Sequence, residues 1–133
     1  PIMMRMGSDL YKYMEYCVND KLDELEYMRW SKRSAVCVVM ASKGYPRNYE
    51  KGKKITGLDK IITNTVSVFH AGTACNDGQI VTNGGRVFGV TAVGNGIENT
   101  IKNVYNAVSK ITWDGVYYRT DIGKKALMYL TKI

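Results

Sequence analysis

The sequence predicts an α+β fold, a small antiparallel-rich sheet with flanking helices. Two segments with a helical apolar period bracket a middle region with strand patterning, and glycine-containing turns punctuate that region. With 133 residues the chain suits one core of ordinary size, without metal or disulfide staples. Apolar residues make up 45% and charged residues 23%, close to average globular usage, which excludes a disordered tail, a collagen-like repeat or a coiled coil.

In the first helical segment Leu10, Tyr13, Met14, Cys17, Val18, Leu22 and Leu25 share one face. Ser8 is the expected N-cap, and Asp9 places a carboxylate at the positive end of the dipole, so the helix should start near Asp9 and pack through this face. Ala35 to Met40 is a continuous valine-rich run, expected as a strand buried on both faces. Val66 to His70, Gln79 to Thr82 and Val87 to Val93 are further strands. Asp77-Gly78 should join the second and third strands in a tight turn, and Asn83-Gly84-Gly85 the third and fourth. After Gly94-Asn95-Gly96, the residues Ile97, Ile101, Val104, Tyr105, Val108 and Ile111 form a second helical face. Trp113 to Tyr118 reads as a last strand and Lys124 to Leu130 as a short helix.

Nineteen basic against twelve acidic side chains leave a net charge of +7, which favours anionic ligands without choosing among them. Lys43 to Lys60 concentrates that excess: Lys43, Arg47, Lys51, Lys53, Lys54 and Lys60 face only Glu50 and Asp59, with Tyr45 and Tyr49 interleaved. Such a stretch suits either a solvated loop or a stacking platform for single strands. The three cysteines, Cys17, Cys37 and Cys75, match neither a disulfide framework nor a metal knuckle and read as reduced thiols of a cytoplasmic protein. No secretory signal follows Pro1 to Met6, and no apolar run is long enough for a bilayer span.

No complete catalytic constellation can be assembled. His70 is the single histidine, which excludes a multi-histidine metal site, and neither a P-loop nor a G-x-G-x-x-G turn occurs. The strongest chemical signal is Asn83-Gly84-Gly85-Arg86, two glycines that permit close approach followed by an arginine able to grip an anion with two parallel hydrogen bonds. The alternative for Arg86 is a structural ion pair at a turn. His70 and Lys43 are further candidate contacts.

The segments Val38–Pro46 (VVMASKGYP), Glu50–Leu58 (EKGKKITGL), Val68–Thr73 (VFHAGT), Ile80–Gly94 (IVTNGGRVFGVTAVG) and Tyr117–Gly123 (YYRTDIG) together resemble, in order and spacing, the C-terminal part of the phosphoribosylamine–glycine ligase family, also called glycinamide ribonucleotide synthetase. Pro1 to Leu10 is similar to the segment that closes that family's ATP-grasp domain. The resemblance covers essentially the whole chain. Two positions depart from the family pattern: Arg47 follows Pro46 where glycine is usual, and Gly7 stands where lysine is common.

The resemblance implies a ligase of purine biosynthesis that phosphorylates the carboxylate of glycine with ATP and a divalent ion, magnesium or manganese. The amine of 5-phosphoribosylamine then attacks the glycyl phosphate. Residues 1–33 would be the tail of the ATP-grasp domain and 34–133 a barrel-sandwich-hybrid-like C-terminal domain. The nucleotide and metal would be held mainly by lobes upstream, in the same chain or a separate polypeptide, so this piece alone should be inactive. Asn83, Gly84, Gly85 and Arg86 would lie near substrate, with His70 and Lys43 as weaker candidates. Neither nucleic acid nor membrane is an expected partner. A carrier module of the biotinyl type, which shares a related sheet, would need a lysine at a hairpin tip, and Asp77-Gly78 supplies none.

Overall fold

The computed structural model describes residues 1–130. Two short helices come first, α1 (Ile2–Arg5) and α2 (Leu10–Val18), followed by a single 3-10 turn at Leu22–Glu24. Asp9, not the expected Ser8, caps α2: its carboxylate accepts from the Tyr11 N–H at 2.9 Å, while Ser8 Oγ accepts from the Arg29 N–H at 2.8 Å and ties the start of the segment to its end. Gly7 and Ser31 close the same loop by donating their N–H groups to Arg29 and Arg5 carbonyls at 2.8 and 2.7 Å. The helical period continues to Leu25, but Asp20 at φ 55° breaks the helix, so Leu22 and Leu25 lie beyond its end. No residue of α2 is buried among the described residues, which corrects the expectation that its apolar face packs within this chain.

The core lies under one antiparallel four-stranded sheet of order β2-β5-β1-β6, with β1 Ser34–Ser42, β2 Val66–His70, β5 Arg86–Gly94 and β6 Val116–Tyr118. Val36, Val38 and Met40 of β1 sit opposite Ala92, Val90 and Phe88 of β5, and this row is buried. Helix α3 (Ile97–Val108) covers it through Thr100, Val104, Ala107 and Val108. Ile111 and Trp113 complete the core beyond the helix end. Strand β1 is not buried on both faces: Val39 is 46% exposed, because α3 covers one side only and the opposite side of β1 at this point is open.

A separate hairpin pairs β3 (Thr73–Asn76) with β4 (Gln79–Thr82). Its tip is Asp77-Gly78, whose φ values of 47° and 73° match the primed turns that suit a twisted hairpin. The sequence reading has this turn joining the wrong pair, since β3 is a strand it does not contain. The last strand is shorter than expected, Val116–Tyr118, and α4 occupies Lys124–Leu130 as expected. Residues 131–133 of the expected second domain lie outside the described residues. Among the described residues no helix is long and apolar enough to cross a membrane.

Candidate functional site

On the open side of the sheet, Val39, Gly89 and Phe69 stand in one row across β1, β5 and β2. The middle position has no side chain, so the row dips between two half-exposed apolar walls. A cleft of about 630 Å³ starts over this dip and runs to the ends of the strands, where Tyr45, His70, Gly85 and Arg86 line it. Among the described residues Arg86 is the only charged group of its lining, and no carboxylate shares it.

The backbone fixes this end of the cleft. Gly72 donates its N–H to the Arg86 carbonyl at 2.8 Å and accepts from the Asn83 N–H at 2.7 Å. A Cβ on Gly72 would lie 2.6 Å from both the Arg86 oxygen and Gly84 Cα, so two glycines are required where β2 ends against β5. The Ser42 hydroxyl donates to the Gly84 carbonyl at 3.1 Å, and the Ser42 N–H to that of Gly85 at 2.8 Å. Tyr45 lies against Gly85 where any larger residue would put its Cβ. Gly72 and Gly84 therefore serve close backbone approach and Gly85 makes room for the Tyr45 ring; none of the three has a positive φ.

His70 is held on two sides. Its Nδ1 is 2.9 Å from Thr73 Oγ1, and its ring packs at 83° to that of Phe88, its cross-strand neighbour on the same face of the sheet, with centroids 4.9 Å apart. Nε2 has no protein partner among the described residues, nor does the Arg86 guanidinium. The structural ion pair that was the alternative for Arg86 is thus not present among them.

Lys43 lines a different cavity of about 540 Å³, with Tyr49, Glu50, Lys53 and Asp114. Here the cations meet anions. Lys53 Nζ lies 2.6 Å from Glu50 and 3.0 Å from Asp114, and hydrogen bonds first to Glu50 and then to Asp114 raise its pKa above the ordinary lysine value. The Tyr45 and Tyr49 rings, 6.2 Å apart, come from the loop between the two cavities.

Of the six residues singled out from sequence, the structure brings His70, Gly85 and Arg86 into one cleft. Asn83 and Gly84 brace its end from behind, and Lys43 stands in the other cavity. Sequence reasoning missed Val39, Phe69 and Thr73. The alternation Val68-Phe69 is a signal that Phe69 faces away from the core, but the row it forms depends on strand register. No three His, Cys, Asp or Glu side chains come together as metal ligands among the described residues, so these residues do not fit a resident metal ion.

Comparison with known proteins agrees with this architecture. The family described as phosphoribosylglycinamide synthetase, C domain, matches residues 35–125. A phosphoribosylamine–glycine ligase of Rhodopirellula baltica is 47% identical over 99% of this chain and 30% of its own length. One from Synechocystis sp. is 44% identical over 95% of this chain and 30% of its own. The crystal structure of the phosphoribosylamine–glycine ligase of Thermotoga maritima superimposes with a TM-score of 0.64 at 33% identity, covering 81% of this chain and 27% of that one. The chain thus spans about 30% of the length of the curated relatives it matches. With the antiparallel sheet, its covering helix and this match in hand, the chain belongs to the phosphoribosylglycinamide synthetase family, and residues 35–125 are its C domain.

Proposed function

We propose that this chain acts as the C-terminal part of a phosphoribosylamine–glycine ligase, forming one wall of a substrate site whose nucleotide-holding portion lies upstream. Residues 1–33 end the ATP-grasp domain and 34–133 form the covering domain; the family match beginning at residue 35 supports that boundary. ATP supplies the phosphoryl group that turns a glycine carboxylate oxygen into a leaving group. Nucleotide and divalent ion, magnesium or manganese, are assigned to the upstream lobes, because the described residues bring no metal-ligand cluster together.

Within this chain the cleft on the open sheet face does the work. An acyl phosphate must be kept from water while the amine attacks, and fixed positive charge must face the anionic reactants. Val39, Phe69 and Tyr45 supply apolar walls, and Arg86 a cation with no counter-ion beside it among the described residues. Asn83 and Gly84 hold the strand end that carries Arg86. Lys43, in the neighbouring cavity, adds to the local positive field.

The observation that carries this reading is that Gly85 and Arg86, with His70 at the end of the neighbouring strand, line one cleft that no carboxylate shares among the described residues. It is tested by Arg86→Ala in the complete ligase. Because Arg86 is exposed and makes no internal ion pair among the described residues, turnover should fall at least about tenfold with the melting temperature unchanged. Unchanged kinetics would remove the cleft from the reaction.

A further inference from the structure

The exposed flank of α3 carries uncompensated positive charge beside a row of amides. Asn99, Lys102, Asn103 and Asn106 recur there with the helical period, and Lys110 follows just past the helix end. Residues 60–66, which lead into the edge strand β2, run alongside. Two cavities of about 180 and 440 Å³ open against this flank and share Thr65 and Asn103, so together they form one trough.

Arg33 and Lys102 line one end of the trough, and Lys60 and Lys110 the other. Among the described residues no carboxylate lines either cavity, and Asp59, beside Lys60 in sequence, is not part of the wall. Lys102 has a partner, Glu98 at 3.0 Å, in a pair exposed on both sides and easily exchanged. Arg33, Lys60 and Lys110 make no ion pair among the described residues.

Positive charge alone suits any anion, and the rest of the lining narrows the class. The side-chain amides of Asn99, Asn103 and Asn106 make no hydrogen bond among the described residues. Each offers a donor and an acceptor side by side, which matches the C=O and N–H of a peptide unit. Among the described residues no aromatic ring lines the trough, so stacked bases would find no platform. From Asn99 to Lys110 the flank extends roughly 16 Å, too far for one phosphate group to span the cations but a match for about five residues of extended chain.

We propose that this trough docks an extended acidic segment of a partner polypeptide, whose carboxylates pair with Arg33, Lys60 and Lys110 and whose backbone bonds the asparagine amides. The trough lies on the side of the sheet that α3 covers, away from the row of Val39, Gly89 and Phe69, and it stands whether or not that cleft binds substrate.

The probe is a fluorescein-labelled seven-residue peptide of alternating aspartate and serine, followed by anisotropy with the complete ligase and with the 133-residue chain. Saturable binding to both is expected, weakened at least about tenfold between ~50 and ~300 mM NaCl. Lys60→Gln combined with Lys110→Gln should weaken it about fivefold or more, and Asn103→Ala about threefold. Lys51→Gln combined with Lys54→Gln removes two exposed cations outside the trough and should leave binding unchanged. All of these variants should keep the parent's turnover and melting temperature. No saturable binding to the complete ligase, equal weakening by the Lys51 and Lys54 pair, or displacement by an oligothymidylate of equal charge as readily as by unlabelled peptide would overturn the proposal.

Discussion

Asp121 shows how strongly a single exposed pair can bias a titration. Arg119 Nε and Nη2 donate to its two carboxylate oxygens at 2.8 and 2.6 Å, and this fork holds the carboxyl at a pKa of about 2. A lowered carboxyl pKa means that the pair stabilises the fold above the unfolded-state value and that the contribution disappears as pH falls through about 2. In an NMR titration Asp121 should therefore show a midpoint near 2, and Arg119→Ala should return it toward the ordinary carboxylate range. Lys53 has the opposite sign. Its raised pKa gives a contribution present below the ordinary lysine value and lost as pH climbs past the folded one. At Gly85 the constraint is steric. A methyl group would collide with the Tyr45 ring, so Gly85→Ala should displace Tyr45 from the cleft and cost about 1 to 3 kcal/mol in urea unfolding, whereas Gly89→Ala, with only Cys37 Sγ at 3.4 Å, should be nearly neutral.

At the scale of elements, α3 is what makes the sheet a core. Val104 is fully buried against β1 and β5, so Val104→Ala should cost about 2 kcal/mol through lost contact and a residual cavity. Val104→Asp would bury an unpaired carboxylate and should abolish the cooperative transition in circular dichroism. The helix was legible because its buried residues recur with the helical period after a glycine stop, and β2, β4 and α4 have the expected bounds for similar reasons. Strand β3 was not legible. Its four residues, Thr-Ala-Cys-Asn, are half-exposed or exposed and carry no apolar alternation, and only pairing with β4 makes them a strand. The valine run of β1 misleads in another way: Val39 has the same β-branched shape as its buried neighbours but points to the open face. Around α2 the apolar period runs on through Leu22 and Leu25, while the left-handed turn at Asp20 ends the helix, a backbone event the period does not register.

For the molecule as a whole, the apolar surface left open is the main physical clue. Met14 and Val18 of α2 are exposed, as are Val39 and Phe69 of the sheet, although each belongs to a regular apolar pattern. Patterned apolar faces without cover are what an element shows when its partner belongs to another part of the protein. The relatives it matches are more than three times as long as this chain. Amide exchange in a complete ligase should accordingly be slower at α2 than in the 133-residue chain, while α3, already covered here, should change little. Part of the candidate site was legible because Gly85 and Arg86 are adjacent in sequence. The remainder was not, because Val39, Phe69 and Thr73 meet Arg86 and His70 only through strand register and hairpin placement. We propose that this chain completes a reaction centre built mostly elsewhere. Its most direct test is ATP turnover by the purified 133-residue chain supplied with glycine and phosphoribosylamine. No ADP above the protein-free blank is the predicted result, and glycine-dependent release of ADP by this chain alone would contradict it.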